Sequence, residues 1–270
     1  MNQPSFLIEP EQAQALLKQE KLLIIDLSRA ESYLQHHLQG AVNLNYKHLI
    51  SGLLPAPGAL PGLDRLNALF DALGLQQDTT VLVYDDEGNG KACRFIWTLD
   101  VIGHQRYYML NGGIHSWLDE GYPISHDACR PQPVTTTLRS LHDSPRAGKD
   151  YILSIIGRPG HILLDTRSLG EYNGERGGGF RRGHIPGAMH FDWLQAMDRH
   201  NSLRYLPDQD LRDKLEVLGI TPDKEIIPYC YTFHRSSHTY VMLKHLGYPN
   251  VKGYAGSWSE WGSDPDLPIE

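Results

Sequence analysis

Cys230 and Arg235 are the residues in this sequence whose types and spacing best suit nucleophilic chemistry. An apolar run over 226–229 leads into the cysteine, and helical spacing follows the arginine, which places the thiol between a buried strand and a helix. A helix N-terminus favours anions and lowers the pKa of a nearby thiol, and Arg235 adds a permanent charge suited to oxyanions. We therefore predict that Cys230 is a nucleophilic thiolate; the alternative is a buried structural cysteine.

The composition is that of an ordinary globular protein. The 270 residues have a formal net charge of −7, which argues against a general affinity for nucleic acid or for an anionic membrane. No apolar stretch approaches the roughly 20 residues of a membrane span, and the N-terminus does not resemble a signal peptide. The 3 cysteines are too few for a disulfide framework, so we expect a cytoplasmic protein. The 14 histidines show no metal-ligand spacing, so no metal site is expected.

The sequence repeats itself once, with a buried-strand pattern, a Glu and Tyr, a His-to-Gly-Ala segment, a second strand and a Gly-Trp segment in each half. Corresponding segments are 23–28 and 163–168, 37–41 and 184–188, 81–85 and 226–230, and 111–117 and 255–261. We predict an α/β fold with two copies of one domain, each a mostly parallel sheet covered by helices. Ligands of such sheets bind at the carboxyl ends of the strands.

The predicted domains are residues 1–125 and 150–270, joined by a Pro-rich, polar linker over 126–149. In each copy a helical pattern ends at a glycine, Gly74 in the first and Gly219 in the second, as expected for a helix C-terminus.

The first copy lacks the nucleophile, because Asp85 stands at the position of Cys230 and is followed by Asp86 and Glu87. A negatively charged loop repels the anions that the Cys230 loop attracts. We predict that the first copy is a scaffold and that its loop is a solvated turn. The alternative is that Asp85 or Asp86 faces the active cleft.

Over nearly its whole length the chain resembles the tandem-domain rhodaneses, a family of sulfurtransferases. The resemblance rests on the repeated Asp26 and Asp165, the segments 182–188 and 253–258, and the Cys230 loop. It is closest to bacterial rhodaneses whose loop reads Cys, four residues, then Arg.

The resemblance implies a cycle in which Cys230 takes a sulfane sulfur from a donor such as thiosulfate, becomes a persulfide, and passes the sulfur to cyanide or a thiol. Main-chain N–H groups of the loop would stabilise the persulfide, and no metal or organic cofactor is implied. The implied partners are a small sulfur donor and a thiophilic acceptor, including a thioredoxin-like protein, without nucleic acid or membrane. The implied substrate-binding residues are Tyr231, Thr232, Phe233, His234, Arg235 and Ser236.

Two departures from the family pattern leave the donor open. Animal thiosulfate-type enzymes have basic residues inside the loop and a further arginine at the position of Glu171. The loop also differs from the small Gly- and Ser-containing loop of mercaptopyruvate-type enzymes, which makes 3-mercaptopyruvate the less favoured donor. Tyr231 and Phe233 instead predict a partly apolar mouth.

Four further residues are candidates for the pocket: Asp165, Arg167, Arg182 and Trp193. Asp165 and Arg167 follow a strand, where we expect a structural pair that fixes the loops; the alternative is that they bind the substrate directly. The Gly-rich run 174–183 lacks the spacing of a phosphate loop and predicts a flexible flap that carries Arg182. Outside the pocket, Cys93 in an apolar helix is expected to be inert, and oxidation of Cys129 in the linker is expected to have no functional consequence.

Two rival functions remain open. Cysteine-dependent phosphatases and arsenate reductases also place a cysteine loop between a strand and a helix, but their loop has five residues between Cys and Arg, whereas this loop has four, 231–234. The second alternative is a non-enzymatic module that binds a partner. Rhodanese domains with that role have usually lost the cysteine, which is present in this sequence.

Overall fold

The computed structural model describes residues 5–135, 139–177 and 181–270. Residues 136–138 of the predicted linker and 178–180 of the predicted flap lie outside the described residues. The strands are β1 (Leu7–Ile8), β2 (Leu22–Asp26), β3 (Val42–Asn43), β4 (Thr80–Tyr84), β5 (Tyr107–Leu110), β6 (Arg146–Ala147), β7 (His161–Asp165), β8 (Met189–His190), β9 (Met197–Asp198), β10 (Arg204–Tyr205), β11 (Glu225–Tyr229) and β12 (Gly253–Tyr254). The α-helices are α1 (Pro10–Leu16), α2 (Ala30–Gln35), α3 (Leu63–Ala72), α4 (Gly90–Val101), α5 (Gly113–Asp119), α6 (Lys149–Ile155), α7 (Leu169–Tyr172), α8 (Asp208–Val217), α9 (Arg235–His245) and α10 (Ser257–Trp261). Two 3-10 helices span Tyr46–Leu49 and Trp193–Ala196.

The two halves contain parallel sheets with the same strand order. Strands β1 to β5 form one sheet in the order β1-β5-β4-β2-β3. In the second half β11 pairs with β7 and β7 with β8, while β12 pairs with β6. Ile226 of β11 also pairs with Val251, just before β12, so the order β6-β12-β11-β7-β8 repeats the first sheet. All five residues of β4 are buried, as expected for a parallel strand with helices on both faces.

Side-chain contacts explain the sequence repeat. In the first copy Tyr33 stacks on His37 with ring centroids 3.9 Å apart, and its hydroxyl donates to the carbonyl oxygen of Ala41 at 2.7 Å. The second copy repeats both contacts, at 3.7 Å and 2.8 Å, with Tyr172, His184 and Ala188. The shared Tyr, His and Gly-Ala patterns therefore have a structural role, and the predicted internal repeat is confirmed.

The predicted helix ends are also confirmed. Gly74 follows α3 with a φ of 76°, and Gly219 follows α8 with a φ of 68°. Their N–H groups donate to carbonyl oxygens of the last helical turn, Asp71 at 3.1 Å and Glu216 at 2.8 Å. Glycine suits both positions because it adopts a positive φ without steric strain.

The chain forms two compact units. The first comprises Met1–Leu49, Pro61–Leu141 and Asp198–Tyr205, and the second comprises Ile50–Leu60, His142–Met197 and Leu206–Glu270. Each unit has its own apolar core, and the core of the second includes Trp258 and Trp261. The domain boundaries at residues 125 and 150 stay a prediction. Within the described ranges, no helix is both long enough and apolar enough to cross a bilayer.

Candidate active site

Cys230 lies directly after β11, and α9 begins five residues later at Arg235, as the sequence predicts. Ile226 and Ile227 anchor β11 in the core, with no exposed surface. The hydroxyl of Tyr229 accepts a hydrogen bond from the Ile185 N–H at 3.1 Å and so holds the end of the strand. The cysteine is thereby fixed at the carboxyl edge of the sheet, with 1% of its surface exposed.

The backbone of Cys230 is held on both sides by the start of α10. Its N–H donates to the Ser257 hydroxyl at 3.3 Å, and its carbonyl oxygen accepts from the Trp258 N–H at 2.9 Å. The Ser257 hydroxyl donates in turn to the carbonyl oxygen of Tyr254 at 2.8 Å. Sequence reasoning missed Ser257, because the contact joins residues 27 positions apart.

The surroundings of the Cys230 thiol favour its ionised form. Burial raises the pKa of the thiol, but the positive charge of Arg235 and hydrogen bonds from the loop, including the N–H groups of Ser236 and Thr232, lower it. The lowering effects prevail, so the pKa lies below the usual value for cysteine. Thiolate is the reactive form of cysteine, so the site is suited to nucleophilic attack on an electrophilic atom.

Glu171 holds Arg235 in place beside the thiol. The two guanidinium Nη atoms donate to the two carboxylate oxygens at 2.6 Å and 2.8 Å, which is the bidentate geometry of a strong ion pair. The carboxylate also accepts from the N–H and hydroxyl of Ser168, at 3.1 Å and 2.9 Å. Burial raises the pKa of Glu171, but the hydrogen bond and charge of Arg235 lower it to about 2. The sequence flagged Glu171 only as a departure from the family pattern, and the structure pairs it with Arg235.

We expect the Glu171→Gln variant to have a lower Cys230 pKa than the unaltered protein. The amide oxygen still accepts a hydrogen bond from Arg235, but the guanidinium charge acting on the thiol is no longer neutralised. A shift of roughly 0.5 pH unit corresponds to ~0.7 kcal/mol. The measurement is the rate of iodoacetamide alkylation of Cys230 against pH, with the exposed Glu175→Gln as a matched control. A higher pKa in Glu171→Gln would contradict this expectation and indicate that Arg235 had left the thiol.

The other loop residues divide into exposed and buried positions. Tyr231, Thr232 and His234 are partly exposed, whereas Phe233 has no exposed surface and a φ of 60°. The Phe233 ring thus contributes no surface to a mouth, and the prediction of an apolar mouth that includes it is wrong. Such a φ is rare outside glycine, so the fully packed ring holds the loop in its curved conformation.

Trp193 lies against the helix that follows the loop. Its ring makes edge contacts with His234 and His238, at centroid distances of 5.9 Å and 5.3 Å. Burial lowers the pKa of His238 to about 3, so this imidazole is neutral at physiological pH. The structure therefore brings Trp193 to the loop, where its ring contacts the rings of His234 and His238.

The remaining candidate pocket residues lie in different environments. Asp165 and Arg167 are buried and bind each other, with the Arg167 Nε 2.9 Å from Asp165 Oδ1. Arg167 also donates to the carbonyl oxygen of Gly183 at 2.7 Å. These contacts match the structural pair predicted from the sequence. Arg182 is exposed.

The loop of the first copy closes around the Asp85 carboxylate, which has no exposed surface. Oδ1 accepts from the N–H groups of Glu87 at 2.9 Å and Asn89 at 2.7 Å. Oδ2 accepts from those of Lys91 at 2.8 Å and Ala92 at 3.0 Å. The prediction of a solvated turn is therefore wrong, because the acidic group is buried and fully hydrogen-bonded.

The Asp85 loop retains the anion-binding geometry of the Cys230 loop. Glu87 and Lys91 stand at the positions of Thr232 and Ser236, whose N–H groups favour the Cys230 thiolate. In the first copy a fixed carboxylate takes the place of the sulfur anion. The N–H groups of this loop bind the Asp85 side chain, and the loop has no cysteine that could react with a sulfur donor.

Within the described ranges, no group of three or more His, Cys, Asp and Glu side chains is arranged to hold a metal ion.

The sequence matches the family model of the rhodanese-like domain twice, over residues 9–120 and 149–264. It is 48% identical to a thiosulfate sulfurtransferase of Azotobacter vinelandii, over 97% of this chain and 96% of the relative. It is 45% identical to a thiosulfate sulfurtransferase of Pseudomonas aeruginosa, again over 97% and 96% of the two chains. A sulfur carrier protein, TtuD of Thermus thermophilus, is 32% identical over 98% and 96%.

Among solved structures, the fold is similar to that of wild-type EanB, with a TM-score of 0.89 over 98% of this chain and 68% of the EanB chain. The identity to EanB is 22%, so this similarity supports the fold alone. The family is established by the two domain matches and by the full-length relatives. The chain belongs to the rhodanese-like family and contains two copies of its domain in tandem.

Proposed function

We propose that this protein is a thiosulfate sulfurtransferase that carries the transferred sulfur as a persulfide on Cys230. The observation that carries the proposal is the buried thiol whose pKa is lowered by Arg235 and by the loop. The full-length similarity to thiosulfate sulfurtransferases supports thiosulfate as the donor. The intact cysteine argues against a purely partner-binding module.

In the first half-reaction the Cys230 thiolate attacks the sulfane sulfur of thiosulfate. A new S–S bond forms to the cysteine while the S–S bond of thiosulfate breaks, and sulfite leaves with that electron pair. The outer sulfur of the persulfide retains a negative charge. Arg235 and the N–H groups of Thr232 and Ser236, which favour the thiolate, stabilise this charge as an oxyanion hole stabilises oxygen.

In the second half-reaction an acceptor attacks the outer sulfur, and Cys230 leaves as the thiolate. Cyanide becomes thiocyanate, and a thiolate acceptor becomes a persulfide. Neither step needs a cofactor. A thioredoxin-like protein is the proposed macromolecular acceptor, and the cytoplasm is the proposed location, on the sequence arguments given above.

The proposed substrate site consists of Cys230 and the six residues that follow it, with Trp193 beside the mouth. Thr232 and His234 keep partial exposure beside the buried thiol, which suits a small donor. Because Glu171 neutralises Arg235, the loop offers a dianion less net positive charge than the arginine alone would. The loop N–H groups therefore carry much of the affinity for the anion.

Intact-mass spectrometry tests the proposal directly. Incubation with thiosulfate should add one sulfur, about 32 Da, and cyanide should remove it. Peptide mapping should place the sulfur on Cys230, and Cys93 and Cys129 in the same digest serve as internal controls. Sulfur on either of these cysteines alone, or no gain of mass, would contradict the proposal.

The same protein preparation tests the alternative hypothesis that this protein is a cysteine-dependent phosphatase. A loop with four residues between Cys and Arg forms a smaller ring of N–H groups than the five-residue phosphatase loop, which suits a single sulfur atom. We expect sulfur transfer to exceed hydrolysis of an aryl phosphate when both are assayed at equal protein concentration. Faster phosphate hydrolysis would reverse the ranking of the two activities.

A further inference from the structure

The segment Ile50–Leu60 belongs to the compact unit that contains Cys230. It is closed by its own hydrogen bonds: the Ser51 N–H donates to the carbonyl oxygen of Ala59 at 2.8 Å, and the Gly52 N–H donates to that of Pro57 at 3.0 Å. The Ser51 hydroxyl donates to the carbonyl oxygen of Ala56 at 3.1 Å and accepts from the N–H of Leu53 at 3.2 Å. These hydrogen bonds hold residues 50–60 in one conformation, so the segment can support the residues that pack against it.

Gly58 is the buried residue of this segment, and it touches the backbone of the Cys230 loop. A Cβ atom at Gly58 would lie 2.0 Å from the carbonyl oxygen, 2.6 Å from the carbonyl carbon and 2.9 Å from the Cα of Thr232. Ordinary contacts of a Cβ atom begin near 3.4 Å. Only glycine therefore allows the two backbones to approach this closely.

Thr232 is the loop residue whose N–H helps to hold the Cys230 anion. Its Cα joins that N–H to the carbonyl group that rests on Gly58. Displacement of the Thr232 carbonyl group and Cα therefore also displaces the Thr232 N–H relative to the Cys230 sulfur. The contact with Gly58 thus acts on a group that stabilises charge on the nucleophile.

We propose that Gly58 is a positioning residue that holds the Thr232 backbone against the anion of Cys230. This inference deepens the proposed function, since the same thiolate would accept the sulfur. Gly58 contributes no chemistry of its own; it fixes the loop through the absence of a side chain.

The test is the Gly58→Ala variant, with Gly62→Ala as the matched control. A Cβ atom at Gly62 would meet nothing within 4 Å, and neither glycine has a positive φ. The loop must retreat by roughly 1 Å in Gly58→Ala to relieve the overlap. We expect the pH midpoint of Cys230 alkylation by iodoacetamide to rise by about one unit, the effect of losing one N–H donor to a charged group.

Alkylation needs no sulfur donor, so its result is independent of whether thiosulfate is the substrate. Peptide mapping assigns the alkylated cysteine, and a thermal melt reports the fold separately. A folded Gly58→Ala variant with an unchanged midpoint would overturn the inference. If Gly58→Ala does not fold, the Ser51→Ala variant provides the test, because it removes the hydroxyl hydrogen bonds within residues 50–60 without adding bulk. A raised pH midpoint of Cys230 alkylation in Ser51→Ala supports the positioning role of Gly58, and an unchanged midpoint overturns it.

Discussion

The Cys230→Ser variant is expected to lose transfer of sulfur from thiosulfate to cyanide, by at least roughly 10³-fold, or ~4 kcal/mol of barrier. A serine hydroxyl stays protonated in a site that favours a thiolate, and it cannot form the S–S bond on which both half-reactions depend. The measurement is thiocyanate formation at saturating thiosulfate. Turnover retained in this variant would refute the proposed mechanism.

Cys93→Ser is the matched control, and we expect it to retain activity. Burial raises the pKa of Cys93 well above its usual value. Its Sγ lies 3.5 Å from both the Met109 sulfur and the Tyr205 hydroxyl, so it is packed within the core of the first unit. Cys129→Ser, in the predicted linker, is a second control. A large loss of turnover in either variant would shift the nucleophile away from Cys230.

Arg167→Ser is expected to destabilise the protein by about 3 to 5 kcal/mol at pH 8, because it leaves the buried Asp165 carboxylate without its cation. The first copy already contains this arrangement. When β2 and β7 are aligned at their last residues, Asp26 and Asp165, Ser28 stands at the position of Arg167. Burial raises the pKa of Asp26 to about 6. The variant would place a serine two residues after Asp165, as Ser28 stands two residues after Asp26.

The loss of stability in Arg167→Ser should be larger at high pH than at low pH. An acid that binds its proton more tightly in the folded state contributes stability below its unfolded pKa of about 3.9, and this contribution is lost as pH rises through the folded value. For Asp26, which has a serine in place of the arginine, that window ends near pH 6. The midpoint of urea unfolding should therefore fall further below that of the unaltered protein at pH 8 than at pH 5.

The double variant Asp165→Asn with Arg167→Ser provides the control, because it removes the charge and should remove the extra loss at pH 8. An equal loss at both pH values in Arg167→Ser would contradict the electrostatic explanation. It would point instead to lost packing of the guanidinium on the Trp258 ring, whose centroid lies 4.6 Å from the Arg167 Cζ.

The sequence was sufficient to predict the features that depend on neighbouring residues. The apolar run before Cys230 and the helical spacing after Arg235 are local patterns, so the position of the thiol between strand and helix could be predicted. The internal repeat allowed the two-domain fold to be predicted, because two similar stretches of sequence form similar sheets. Gly74 and Gly219 were identified by the same local logic.

Contacts between distant residues could not be predicted from the chain. Glu171 and Arg235 are 64 positions apart, and nothing in the spacing of either residue reveals the bidentate pair. The close approach of Gly58 to Thr232 depends on the path of two separate segments. Acidic residues in a row normally indicate a solvated turn, and the burial of Asp85 became visible only with the backbone N–H groups in place.

The buried Asp85 carboxylate explains how a loop of this conformation is stable without a cysteine. N–H groups that converge on one buried point are destabilising when nothing accepts from them. An apolar side chain in place of Asp85 would leave the four N–H donors of Glu87, Asn89, Lys91 and Ala92 without an acceptor. An aspartate satisfies all of them, so the first copy keeps the loop conformation of the Cys230 site with an acid in place of the thiol.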